Sequence, residues 1–150
     1  MKAKLETNLV GVAGEYLVTR ELSLRRYIAS ISLRNSRGIN MIASTGDATK
    51  SINIQVKTNN SDTNNWILSK KSEGFFYENH FYILVSLNNL NERANFYIVP
   101  SKVVADYIRI THATWLKGNK HNGGARKDSN MRKFVDKDNK YLEAWNLLSL

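Results

Sequence analysis

Ile52-Asn53-Ile54-Gln55-Val56-Lys57-Thr58 is the stretch that decides the fold. Side chains alternate between the faces of a strand, so Ile52, Ile54 and Val56 fill one side while Gln55 and Lys57 share the other. A long polar pair is thereby held on a strand that otherwise belongs in a core. Upstream, Gly38-Ile39-Asn40-Met41-Ile42-Ala43-Ser44 has the pattern of a second strand, with Asn40 among apolar neighbours. Thr45 to Lys50, containing Gly46-Asp47, turns one strand into the other, and the hairpin brings two amides and an ammonium into one neighbourhood.

Further toward the N-terminus, the residues from Leu9 to Leu24 predict a helix, capped at Thr7 or Asn8 and running to about Arg25. Its apolar positions predict two stripes, Leu9, Ala13, Leu17 and Leu24 on one and Val12, Val18 and Leu22 on the other, with Glu15 at their boundary. A carboxylate there is costly to desolvate unless a cation, a metal or a hydrogen-bond donor sits beside it. Gly11 and Gly14 each cost about 1 kcal/mol of helix propensity relative to alanine and suggest that another backbone comes close. The plainer alternative is that the Glu15 carboxylate simply faces water.

The other elements follow from similar patterns. Tyr27 to Leu33 predicts a first strand, followed by a turn at Asn35-Ser36-Arg37-Gly38. Trp66-Ile67-Leu68 suggests a short strand or edge, and Phe81 to Leu87 and Asn95 to Val99 are continuous apolar runs of strand length. Such runs belong to strands covered on both faces, so helices are expected on either side of the sheet. Pro100-Ser101 starts a helix to about Thr111, with Ser101 as its cap and Val103, Val104, Tyr107 and Ile108 inward. Gly118 to Ser129 is too rich in glycine, asparagine and charge for a core element. A final helix is expected from about Asn139 to Leu148, docked through Tyr141, Leu142, Trp145 and Leu148. The expected whole is one α/β domain over residues 1–150, a central mixed β-sheet flanked by helices.

Composition narrows the function. The chain has 150 residues, 42% of them apolar, and no cysteine, which excludes disulfides, thiolate zinc sites and cysteine nucleophiles. No apolar run is long enough to span a bilayer, and Met1-Lys2-Ala3-Lys4-Leu5-Glu6 lacks the pattern of a secretory signal, so a soluble cytoplasmic protein with no membrane partner is expected. A formal charge of +9 favours a polyanion, and nucleic acid is the natural one. Much of the excess falls between residues 117 and 140: Lys117, Lys120, Arg126, Lys127, Arg132, Lys133, Lys137 and Lys140 against Asp128, Asp136 and Asp138. His80, His112 and His121 have no zinc-ligand spacing. Gly123-Gly124-Ala125-Arg126-Lys127 lacks the Ser or Thr of a phosphate loop.

Gly14-Glu15-Tyr16-Leu17-Val18, Gly38-Ile39-Asn40-Met41-Ile42-Ala43 and Ile54-Gln55-Val56-Lys57-Thr58 occur in the order and spacing of the PD-(D/E)XK phosphodiesterases, and the chain resembles that restriction-endonuclease-like superfamily over roughly its first 60 residues. The resemblance implies a metal-dependent phosphodiesterase acting on nucleic acid, DNA in the first instance. It also implies Mg²⁺ or Mn²⁺ held by Glu15, Asn40, Gln55 and the Val56 carbonyl, and a catalytic group of Lys57, Gln55 and Glu15. Arg34, Arg37 and the basic residues Lys117, Lys120, Arg126, Lys127, Arg132 and Lys133 would then hold backbone phosphates. Many nucleases of this fold cut two strands as dimers, which leaves a homodimer open.

Asn40 departs from the pattern, because the family expects aspartate there and an amide oxygen brings no charge. With Gln55 neutral as well, the metal position carries one ionised ligand, and a hard cation should bind weakly or not at all. Asp47, Asp62 and Glu73 are the acids available to compensate, though the motif places none of them. Two other functions therefore stand beside hydrolysis: a nuclease-fold module that binds nucleic acid without cutting it, and an interaction subunit that meets an acidic protein.

Overall fold

The computed structural model describes residues 5–36, 38–90 and 92–150, with side chains for all of these except 34–36. Helix α1 (Thr7–Leu24) leads into strands β1 (Ile28–Ser36), β2 (Ile39–Ser44) and β3 (Ser51–Asn59), then β4 (Asn65–Ser69) and a 3₁₀ turn at Lys70–Glu73. Strands β5 (His80–Ser86) and β6 (Asn95–Pro100) follow, then helix α2 (Ser101–Leu116), strand β7 (Met131–Val135) and a second 3₁₀ turn at Trp145–Leu148. The main sheet runs β1-β2-β3-β5-β6, while β4 and β7 form a separate two-stranded sheet. It is mixed: β3 and β5 are parallel and the other neighbours antiparallel.

Every residue of β5 is buried, as its unbroken apolar run requires of a strand covered on both faces. Phe81, Ile83 and Val85 join Ile52, Ile54, Val56 and the α1 residues Val10, Val18 and Leu22 in one core. Tyr82 and Leu84 point the other way, into a second core with Val104 and Ile108 of α2, Trp66 and Leu68 of β4 and Phe134 of β7. The two helices thus cover opposite faces of the sheet.

The buried face of α1 is Val10, Gly14, Val18, Glu21 and Leu22, whereas Leu9, Val12 and Leu24 are exposed. This replaces the two expected stripes with one. The reason lies at Gly14, where a Cβ would meet Thr58 Oγ1 at 1.8 Å and Thr58 Cβ at 2.9 Å. Only glycine lets the helix lie so close to β3, and that contact sets which residues turn inward. Glu6, rather than Thr7 or Asn8, occupies the cap position. Glu21, not singled out in the sequence, is buried among Arg20 (2.6 Å), Arg25 (2.8 Å) and Arg93 (3.4 Å). Burial alone would raise its pKa, but the Arg25 hydrogen bond and the neighbouring guanidinium charges hold it below the usual carboxylate range.

The expected C-terminal helix does not form. Asn139 and Glu143 take left-handed backbone angles, φ 53° and 52°, and the chain lies along β6 instead. Tyr97 bridges Leu142, Ile98 N donates to Tyr141 O at 2.9 Å, and Glu143 N donates to Phe96 O at 2.8 Å. Only Trp145–Leu148 coils, as a 3₁₀ turn that drops Leu148 into the α1-side core. Helix α2 extends past the expected Thr111 to Leu116, and Ser101 is its first residue rather than its cap. The Ser101 hydroxyl instead pairs with the backbone N and O of Tyr77, both at 3.1 Å.

Candidate functional site

Strand β2 leaves β3 early. Their ladder runs from Ser44 opposite Ser51 to Met41 opposite Ile54, yet β3 continues against β5 as far as Asn59 opposite Ser86. Asn53 N donates to Asn79 O, so residues 53, 55, 57 and 59 direct their backbone groups toward β5 and residue 56 directs its own toward β2. At the point of parting, Asn40 Oδ1 accepts the Val56 N–H at 2.9 Å. A side-chain amide thus replaces the missing backbone partner, and the Val56 carbonyl opens onto the gap.

Gln55 and Lys57 line one cleft of about 560 Å³ with Gly38, Ser69, Lys71, Ser72, Phe75 and Tyr82. The parallel register sets Tyr82 directly beside Gln55, which explains how a residue of the apolar run comes to floor a polar cleft. Gly38 has φ +84°, a left-handed conformation that favours glycine, and it lies beside Gln55, a Cβ there standing 3.4 Å from Gln55 Oε1. Among the described residues the cleft is lined by two lysines and no carboxylate. No carboxylate of the described residues lies within 4.0 Å of the Lys57 ammonium. Burial lowers the Lys57 pKa and raises that of the Tyr82 hydroxyl.

Glu15 belongs to the helix on the opposite face. It follows Gly14, which rests on Thr58, the residue after Lys57. Glu15 does not line the cleft, it forms no ion pair among the described residues, and partial burial raises its pKa. Asp47 sits at the hairpin tip, where hydrogen bonds from Thr45 and Thr49 lower its pKa to about 2. Glu73 is bonded to Arg132. Asp47 and Glu73 therefore do not make good the charge missing at Asn40. Among the described residues no group of three or more acidic or histidine side chains is placed to hold a metal. The donors at the gap, the Asn40 and Gln55 amide oxygens and the Val56 carbonyl, are neutral oxygens suited to a hard cation, and Glu15, the carboxylate of the set, belongs to the helix on the other face.

The basic segment divides. Lys117, Lys120, Lys127 and Lys133 are exposed. Arg126 Nη1 donates to Trp115 O at 2.7 Å with its guanidinium over the Trp115 ring. Arg132 is drawn inside, its side chain 2% exposed, bonded to Glu73 and to the Ser129 carbonyl at 2.7 Å. The alternation that buries Phe134 buries Arg132 with it, which removes it from a phosphate-facing surface. Arg37 and the Arg34 side chain lie outside the described residues. Lys71, Ser72 and Tyr82 were not anticipated from the sequence, since only the β3–β5 register and the 3₁₀ turn bring them to Gln55. No described helix is long and apolar enough to cross a membrane.

No family model matches the chain, and no curated protein matches it. Among solved structures it is similar to a bacterial homing endonuclease, I-Ssp6803I, with TM-score 0.57 and 15% identity over 97% of this chain and 94% of that one. It is also similar to Hjc, a Holliday junction resolvase from the archaeal hyperthermophile Archaeoglobus fulgidus, with TM-score 0.49 and 14% identity over 84% of each chain. The likeness to the homing endonuclease, together with the mixed sheet between two helices, shows the fold: this chain has a restriction-endonuclease-like α/β architecture.

Proposed function

We propose that the chain binds DNA through the Gln55–Lys57 cleft and hydrolyses its phosphodiester bonds slowly, with a divalent cation held at Glu15, Asn40, Gln55 and the Val56 carbonyl. One observation carries this reading: a partly buried ammonium without a carboxylate partner stands beside an amide, next to the gap where β2 leaves β3. Such a group favours an anion, and Lys57 would hold a phosphoryl oxygen and steady the charge that builds on it. A Mg²⁺ or Mn²⁺ bound there would polarise the phosphoryl group and lower the pKa of a water molecule. With one carboxylate among its ligands, the site would bind the ion together with the DNA phosphate, as Mg²⁺ commonly binds. Lys117, Lys120, Lys127 and Lys133 add salt-sensitive affinity that is largely indifferent to sequence.

A second reading is favoured by the Asn40 bond to Val56, which gives that amide a structural use independent of any metal. In that reading the chain binds DNA without cutting it. Incubation of plasmid DNA with Mg²⁺ or Mn²⁺ separates the two. Nicking that disappears in Lys57→Ala supports hydrolysis, whereas intact plasmid together with Lys57-dependent binding establishes the binding module.

A further inference from the structure

The groove between α2 and β7 is separate from the Lys57 cleft. It measures about 370 Å³, and its wall is made by Tyr107, His112 and Trp115 from α2, facing Met131, Lys133 and Val135 from β7. Helical spacing puts the three α2 residues on one face, and strand alternation puts the three β7 residues on one face, so both walls follow from the local sequence. Trp115 is 44% exposed and Met131 61% exposed, a large apolar investment on the surface of a strongly charged chain. The His112 and Trp115 rings lie nearly parallel, 25° apart with centroids 5.4 Å apart. His112 is fixed by Asp128 at 2.8 Å, so the wall is held in place.

Charge identifies the occupant. Asp128 is the acid beside the groove, and it is engaged by His112, by Lys70 at 3.1 Å and by Arg132 at 3.4 Å. Lys133 in the lining, and Lys117 and Lys127 in the segments that continue from it, have no ion pair among the described residues. The exposed Trp115 ring, stacked with His112 and with the Arg126 guanidinium 4.9 Å from its centroid, makes an aromatic and cationic stack edged by further lysines, which suits a planar group carried on an anionic chain and joining the stack where Arg126 now lies. A second copy of this protein would set two such positive rims against each other.

We propose that this groove takes one unstacked nucleobase of a single-stranded nucleic acid, with Trp115 and His112 against the ring and Lys133 on an adjoining phosphate. The proposal rests on the nucleic-acid reading above and shares Lys133 with it, but it uses none of the cleft residues. It adds a preference for strands with unpaired bases, since a base inside a duplex cannot enter.

The test is the binding of a thymidine homopolymer about 12 nucleotides long, compared with a duplex of the same length. The strand should quench the emission of Trp115, which is exposed while Trp66 is buried and Trp145 half-buried, and the quench should be lost in Trp115→Ala. Trp115→Ala should weaken strand binding about tenfold and change duplex binding less than about twofold, while Trp115→Phe keeps most of the affinity. Lys133→Ala, on the exposed face of β7, should lower the salt dependence of strand binding without touching the fold. Equal strand affinity in native protein and Trp115→Ala, with binding still lost in Lys57→Ala, overturns this site and leaves the DNA reading intact. Absence of binding to either nucleic acid overturns both. Competition at the groove by polyglutamate but not by the strand assigns it to an acidic protein and also overturns the proposal.

Discussion

Asn40 stands in for a strand: its Oδ1 accepts the Val56 N–H at 2.9 Å where β2 parts from β3. That one bond links the stability of the sheet to the chemistry of the position, because the same oxygen faces the gap onto which the Val56 carbonyl opens. Asn40→Ala should therefore cost about 1–3 kcal/mol, the penalty of an unpaired amide, seen as a lower urea midpoint. Asn40→Asp keeps an acceptor and adds a charge. It should tighten Mn²⁺ binding by on the order of tenfold in calorimetry; equal affinity in native protein and variant would separate Asn40 from any metal position.

Gly14 should not tolerate alanine. The added methyl would meet Thr58 at both Oγ1 and Cβ, so turning the threonine side chain does not clear it. Gly14→Ala should lose about 1–3 kcal/mol by overpacking, measured by thermal or urea unfolding. Thr58→Gly in the same background should restore part of the loss. Full stability in the single variant would mean that α1 and β3 are farther apart than described.

His80 makes stability depend on pH. It is 1% exposed, and neither ring nitrogen has a partner of good geometry among the described residues. Burial lowers its pKa to about 4, offset in small part by the Asn53 backbone. The unfolded chain binds the proton near pH 6.5 and the folded chain only near 4, so the stabilising contribution is complete above 6.5 and is lost as pH falls toward 4. About 3 kcal/mol should disappear over that window. His80→Phe keeps an aromatic ring against Phe75 and Tyr82, and should flatten this part of the profile in urea melts taken between pH 4 and 7. An unchanged slope would assign the loss to other groups.

Much of the fold was legible because its signals are local. The alternation in Ile52-Asn53-Ile54-Gln55-Val56-Lys57 sets which side chains share a face, and the unbroken run from Phe81 to Leu87 requires cover on both sides. What escaped notice depends on distant partners. Met131–Val135 looks like a basic surface because its charges dominate, yet pairing with Asn65–Ser69 places Arg132 and Phe134 inside. Tyr141, Leu142, Trp145 and Leu148 have helical spacing, but the open edge of β6 captures their backbone first. The cleft was visible only from one wall: Gln55 and Lys57 come from one strand, whereas Lys71, Ser72 and Tyr82 arrive through tertiary contacts. Glu15 was expected to have a cation, a metal or a hydrogen-bond donor beside it, yet its carboxylate forms no ion pair among the described residues, because α1 lies on the face opposite the cleft.

The ammonium of Lys57 carries the account, and the affinity of the protein for duplex DNA, titrated by fluorescence anisotropy across a range of salt, measures it. Native protein should bind with steep salt dependence, and Lys57→Ala should weaken binding about tenfold and flatten the slope by roughly one counterion. The native affinity should also fall as pH rises, at a lower pH than for an exposed lysine, because burial depresses the Lys57 pKa. DNA binding of unchanged strength and salt slope in Lys57→Ala would contradict the assignment of the cleft.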